Sequence, residues 1–188
     1  MIGLFCAINF SFHTPVLFFS LLIHEAGHIA MLKKNGAKIN YIEILPLGIN
    51  IAAENALLPY REDIKTAFAG PFFNIACAFF SFLFLKFICF SDIAMFFLIA
   101  NLAYATLNLF PVKSLDGGRI AETLLRVYLP GRASYYLFAA ISGVSLALLS
   151  LLAFLILFIT KYNFTLILLC CYLFYTIHFN PAKSARNG

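Results

Sequence analysis

The chain is written in long apolar runs broken at a few polar points, rather than in alternating or helical stripes. Residues 1–32 hold no Lys or Arg. One helix of that length would rise about 48 Å, against about 30 Å for the hydrocarbon core of a bilayer, and Pro15 offers a break. The pattern predicts a first spanning helix over 15–34, preceded by an interfacial or re-entrant arm over 1–13. Further apolar runs predict spans over 64–90, 93–110, 135–160 and 163–179. Gly70-Pro71 predicts a kink or a start in the second of these. Pro111 closes the third, and Lys161 and Tyr162 separate the last two.

Two stretches depart from this pattern. After Gly36, the polar residues Lys38, Glu43, Asn50, Glu54 and Asn55 dilute the apolar ones. Ile42-Glu43-Ile44 and Ile49-Asn50-Ile51 alternate around Pro46 and Gly48, which predicts two short strands about a turn, near the membrane surface. Over 119–129, Ile120, Leu124 and Val127 oppose Arg119, Glu122 and Arg126. That is an amphipathic helix suited to the membrane interface.

Composition sharpens the class. Of 188 residues, 63% are hydrophobic, 11% are charged and 23 are Phe. A soluble domain of this size needs more polar surface, whereas a lipid-facing exterior does not. The expected fold is therefore all-α and polytopic. It has about five transmembrane helices, with a short hairpin-like membrane-surface segment after the first. A single domain over 1–188 would comprise a core over about 14–120 and two C-terminal helices within about 135–179.

The net charge of +5 comes from dispersed residues, which argues for a lipid bilayer as partner and against nucleic acid. With five spans, Lys33, Lys34, Lys38, Arg61, Lys65, Lys113, Arg119, Arg126, Arg132, Lys183 and Arg186 share one side, and Lys86 and Lys161 the other. The positive-inside bias makes the first side cytoplasmic, with the N-terminus outside and the C-terminus inside. The first Lys is Lys33, so the N-terminus lacks the basic region of a signal peptide, and the first apolar run reads as an anchor. The five Cys residues form no CxxC pair and read as small packing residues.

The chemistry gathers at His24-Glu25-Ala26-Gly27-His28, an HExxH motif on a predicted helix. A four-residue spacing sets both imidazoles on one helix face, where they can share a metal, with the carboxylate between them placed to act on water. Zinc favours such donors, and ionisable groups inside a bilayer mark function. A third ligand is needed, and topology favours Asp116, in Leu115-Asp116-Gly117-Gly118, at the cytoplasmic end of the third span. Local sequence reads Asp116 equally well as the N-cap of a helix beginning near Arg119. Asn74, Asn101 and Asn108 are amides in apolar spans. Asn108 and Asn74 are candidates for substrate or oxyanion support, and interhelical hydrogen bonding is the structural alternative. His13 and His178 read as structural.

His24-Glu25-Ala26-Gly27-His28, then Gly70-Pro71-Phe72-Phe73-Asn74, then Asn108-Leu109-Phe110-Pro111-Val112-Lys113-Ser114-Leu115-Asp116-Gly117-Gly118 together resemble the site-2 protease family of intramembrane metalloproteases. The likeness is closest to the branch of the bacterial stage IV sporulation protein FB, and it covers about 14–120. It implies one zinc ion per chain on His24, His28 and Asp116, and a water-activating Glu25. It also implies a membrane-tethered protein substrate, cut to release a cytoplasmic fragment, in a bacterial cytoplasmic membrane. The sequence departs from the family at Lys113-Ser114, where prolines often precede Leu-Asp-Gly, and in its shortened segment 1–13. A zinc-binding but proteolytically inactive relative is the alternative, and an intact Glu25 argues against it. A small transporter is disfavoured because no internal repeat is present.

Overall fold

The computed structural model describes residues 13–36, 38–45, 48–54, 59–161 and 164–179. Six helices run through them: α1 (His13–Lys34), α2 (Tyr60–Phe87), α3 (Asp92–Asn108), α4 (Asp116–Tyr128), α5 (Gly131–Thr160) and α6 (Thr165–Phe179). Strands β1 (Lys38–Leu45) and β2 (Gly48–Glu54) pair antiparallel between α1 and α2, with Ile42 opposite Ile51 and Glu43 opposite Asn50. An irregularity between Ile39 and Tyr41 bends the ladder. The expected arm over 1–13 falls almost wholly outside the described residues, as do the side chains of His13 and His178.

Among the described residues, three helices are long and apolar enough to cross a membrane: Thr14–Lys34, Tyr60–Phe87 and Gly131–Thr160. The other two apolar helices, Asp92–Asn108 and Thr165–Ile177, are shorter. Helix α2 begins four residues before the expected 64 and continues through Gly70-Pro71, so that pair neither starts nor stops it. Pro71 lacks the N–H that would bond Ala67, but packing on both sides holds the helical path. Ser91 caps α3, its Oγ accepting from the Ala94 N–H at 3.4 Å. At the end of α5, Lys161 turns the chain with φ 60° and returns its N–H to Leu157 at 2.7 Å.

The chain divides into two compact units at Leu109–Phe110. The break follows Asn108, where α3 ends and Pro111 forbids its continuation. It lies before the expected core boundary near 120, which falls inside α4.

In the unit Ile2–Leu109, α1, α2 and α3 pack on one another, and apart from Leu32 what they bury is mostly small or polar. Ser20, His24, Thr66, Ala67, Gly70, Asn74, Ala78, Ala100, Asn101 and Ala105 are inside. Phe79, Phe80, Phe82 and Phe87 point outward. A water-soluble fold sorts these residues the other way. Helices in lipid gain nothing by hiding Phe, so small residues set the close approach and polar residues pair within. The two backbones come close at Gly27, where a Cβ would stand 2.6 Å from the Ala69 carbonyl oxygen.

In the unit from Phe110 onward, α5 packs against α4 and α6. Its buried face is Ser134, Phe138, Ser142, Ser145, Leu149 and Ala153, at the three- and four-residue spacing of one helix side. Helix α4 buries Gly117, Gly118 and Thr123, leaves Leu124 and Val127 exposed, and pairs Glu122 with Arg126 at 2.7 Å.

Gly27→Ala is expected to destabilise the α1–α2 contact by about 1–3 kcal/mol, because only backbone atoms face the new methyl group and none can swing away. Unfolding midpoints in detergent, with the exposed Ala30→Ser as the control, check this.

Candidate metal centre

Ser20, His24 and His28 form one stripe on α1, each four residues from the next. Thr66, Gly70 and Asn74 form the matching stripe on α2. Where the stripes meet, each imidazole is held from behind. His28 Nδ1 lies 2.7 Å from the Thr66 carbonyl oxygen. His24 Nδ1 lies 3.2 Å from Asn74 Oδ1, while Asn74 Nδ2 donates to the Ser20 carbonyl at 3.3 Å.

These partners fix the tautomers. A backbone carbonyl can only accept, so His28 carries its proton on Nδ1. The Ser20 carbonyl likewise claims the Asn74 amino group, which turns Oδ1 toward His24 and puts that proton on Nδ1 too. In the neutral form of each ring Nε2 is then the acceptor atom. The two Nε2 atoms face each other at 3.2 Å. A cation between them, a proton or a metal ion, satisfies both nitrogens at that distance. Two nitrogens each ~2.0–2.1 Å from one tetrahedral zinc ion would stand roughly 3.3 Å apart, so this donor pair fits the metal.

Gly70 makes room for the pair. A Cβ there would run into His28 Nε2 and lie 2.8 Å from His24 Cε1. Glu25, between the two histidines in sequence, is 8% exposed.

Residues 13–94 match the model of Peptidase family M50. The M50 stretch holds the HExxH helix, the Gly-Pro pair and Asn74, and stops before Asp116. The chain is 32% identical over 142 residues to a zinc metalloprotease of Methanocaldococcus jannaschii, covering 73% of this chain and 41% of that protein. It is 28% identical over 119 residues to stage IV sporulation protein FB of Bacillus subtilis, covering 62% and 41%. The chain thus spans about two fifths of the length of these relatives. In fold it is similar to the site-2 protease from Methanocaldococcus jannaschii, with a TM-score of 0.62 at 23% identity, over 93% of this chain and 81% of that one. The resemblance to site-2 proteases read from three short motifs thus extends to the fold.

The remaining candidates fall as follows. Asn74 is wholly buried, and both of its polar atoms serve His24 and Ser20, so it orients a ring and does not offer an oxyanion donor. Asn108 turns its amide back on its own helix, Nδ2 donating to the Tyr104 carbonyl at 3.0 Å. Asn101 is wholly buried and bonds Ser20 Oγ at 3.1 Å and the Phe97 carbonyl at 2.8 Å. Asp116 is the first residue of α4, half-buried, in the second unit. The cap position there is Leu115, so the N-cap reading of Asp116 fails and the helix starts ahead of Arg119. Sequence reasoning missed Thr66, whose contribution is a backbone carbonyl and carries no side-chain signal. It read Gly70 as a helix irregularity and as part of a family motif, not as space for the imidazoles, and it did not single out Ser20.

Asn74→Leu is expected to weaken zinc binding about 10–100-fold, as loss of a histidine's outer hydrogen-bond partner does elsewhere, with Asn74→Asp losing less because an acceptor remains. Competition against a chromophoric chelator measures both.

Proposed function

We propose that this chain is an intramembrane zinc metalloprotease that hydrolyses peptide bonds within or near the transmembrane segments of membrane-tethered proteins. The observation that carries the reading is the pair of Nε2 acceptors 3.2 Å apart, with both Nδ1 protons committed to acceptors behind them. The M50 match and the zinc metalloprotease relative support the same chemistry. His24 and His28 hold one zinc ion per chain, and Asp116 supplies the third ligand. For Asp116 the support is its Leu-Asp-Gly setting at the start of a helix, together with the resemblance in motif order.

When bound, zinc supplies Lewis acidity toward a peptide carbonyl and a water molecule. Glu25 takes the proton from the attacking water and later delivers it to the leaving amine. Its burial keeps bulk water from competing for that proton. Thr66 and Asn74 hold the rings still while the charge changes.

Five crossings follow if α3 and α6 span as well as the three longer helices. Their ~25 Å and ~22 Å are short for a bilayer, and local thinning accommodates such helices. The charge bias then places the N-terminus outside and the C-terminus in the cytoplasm, and a cut on that side frees a cytoplasmic fragment. Helix α4, with Leu124 and Val127 exposed on one side, lies in the interface. The β1–β2 hairpin sits near the membrane surface and pairs with a locally unwound substrate.

Two experiments test this reading. Tagged single-span substrates are co-expressed with wild type, Glu25→Gln and Asp116→Asn, and zinc is quantified in each purified protein. Wild type is expected to cut. Glu25→Gln keeps zinc and loses at least about 10²-fold in cleavage. Asp116→Asn loses zinc. Wild type without zinc sinks the proposal, and Asp116→Asn with full zinc and activity removes that ligand. In the second experiment, proline substitutions along Gly48–Glu54 are expected to lower cleavage at unchanged zinc content, and unchanged cleavage argues against substrate pairing there.

A further inference from the structure

The turn that delivers Asp116 to the start of α4 is held by hydroxyl groups from two other helices of its own unit. Val112 to Leu115 form a β-turn, with the Leu115 N–H on the Val112 carbonyl at 2.8 Å. Lys113 occupies its second position, the place where proline pre-sets the backbone. Lysine brings more conformational freedom there and an N–H that needs an acceptor. Ser142 on α5, itself 4% exposed, provides one: its Oγ accepts from the Lys113 N–H at 3.0 Å. The next residue is tied as well. Ser114 Oγ lies 2.8 Å from Thr176 Oγ1 on α6. Thr176 gives its own proton to the Leu173 carbonyl at 2.9 Å, so Ser114 is the donor in that pair. Val112, wholly buried, anchors the near side, and Gly118 packs against its carbonyl. Asp116 lies two residues beyond the second tie.

We propose that Ser142 is a positioning residue for Asp116: its hydroxyl fixes the Lys113–Ser114 turn and so sets where the carboxylate is presented, with Ser114–Thr176 as a second, more exposed tie. The proposal rests on Asp116 being the third zinc ligand. It gives α5 and α6 a part in the metal centre that none of their own side chains would reveal by chemistry. Ser142→Ala leaves the Lys113 N–H without this acceptor and frees the turn. Lys113→Pro removes the N–H and locks the same torsion. Proline is favoured at the second position of such turns, and its ring carbon would lie where the Lys113 N–H points, against Ser142 Oγ, so it has room only once that hydroxyl is removed. The second substitution should therefore repair the first.

The full chain is purified in detergent as wild type, Ser142→Ala, Lys113→Pro, the double variant and Asp116→Asn. Zinc release to a chromophoric chelator is timed. Amide hydrogen exchange over 113–118 is followed in zinc-free protein. The expected result is release about 10-fold faster or more in Ser142→Ala, faster exchange confined to that turn, and recovery of both in the double variant. A simple packing defect at position 142 would persist in the double variant. The proposal is overturned if Ser142→Ala holds zinc as wild type does, or if adding Lys113→Pro fails to repair it; Lys113→Pro alone is expected to loosen the turn, because its ring meets the Ser142 hydroxyl. Loss of zinc from Asp116→Asn alongside an unaffected Ser142→Ala rejects the positioning role and leaves the ligand assignment standing. Full zinc retention by Asp116→Asn rejects the ligand assignment and the proposal together.

Discussion

Two protons decide the character of this molecule: those on Nδ1 of His24 and His28. Each is taken by a group that can only accept, the Thr66 carbonyl directly and the Asn74 amide oxygen by way of the Ser20 carbonyl. Shielded where two helices meet, such bonds are expensive to break. They turn the two Nε2 atoms toward each other, the arrangement on which the proposed metal site rests.

That arrangement makes demands on the helices around it. The histidine stripe of α1 must meet the Thr66–Gly70–Asn74 stripe of α2 at backbone distance, and Gly27 and Gly70 are the residues that permit it. Asn101 then reaches from α3 to Ser20, so the third helix is tied to the same polar line. The inside of the unit is consequently small and polar and its outside is phenylalanine, an order that water would reverse and lipid accepts. The packing rule and the site are one constraint: polar groups must find partners because lipid offers none.

The second unit meets the same rule with serines in place of amides. Ser142 and Thr176 use hydroxyls on apolar helices to hold an irregular stretch of backbone, the kind that lipid cannot solvate. A turn rigidified by proline needs less outside help. One that carries Lys113 leans on its neighbours, which ties the C-terminal helices to the loop bearing Asp116.

The sequence by itself determined the apolar, helical class and pointed to the metal chemistry. Unbroken apolar runs cannot be soluble helices, and HExxH on a helix leaves few uses besides a metal, because spacing along one helix is a local property. The apolar runs also located the described helices, though not their ends: Pro71 sits inside α2 and α4 begins at Asp116, because packing outweighs local breakers and caps. The tertiary structure alone decided which atoms hold the rings. The tautomer of His24 depends on an asparagine 50 positions away, and that of His28 on a carbonyl that every residue possesses. The sequence names side chains, but a backbone acceptor acquires its meaning only when folding sets it opposite a particular nitrogen.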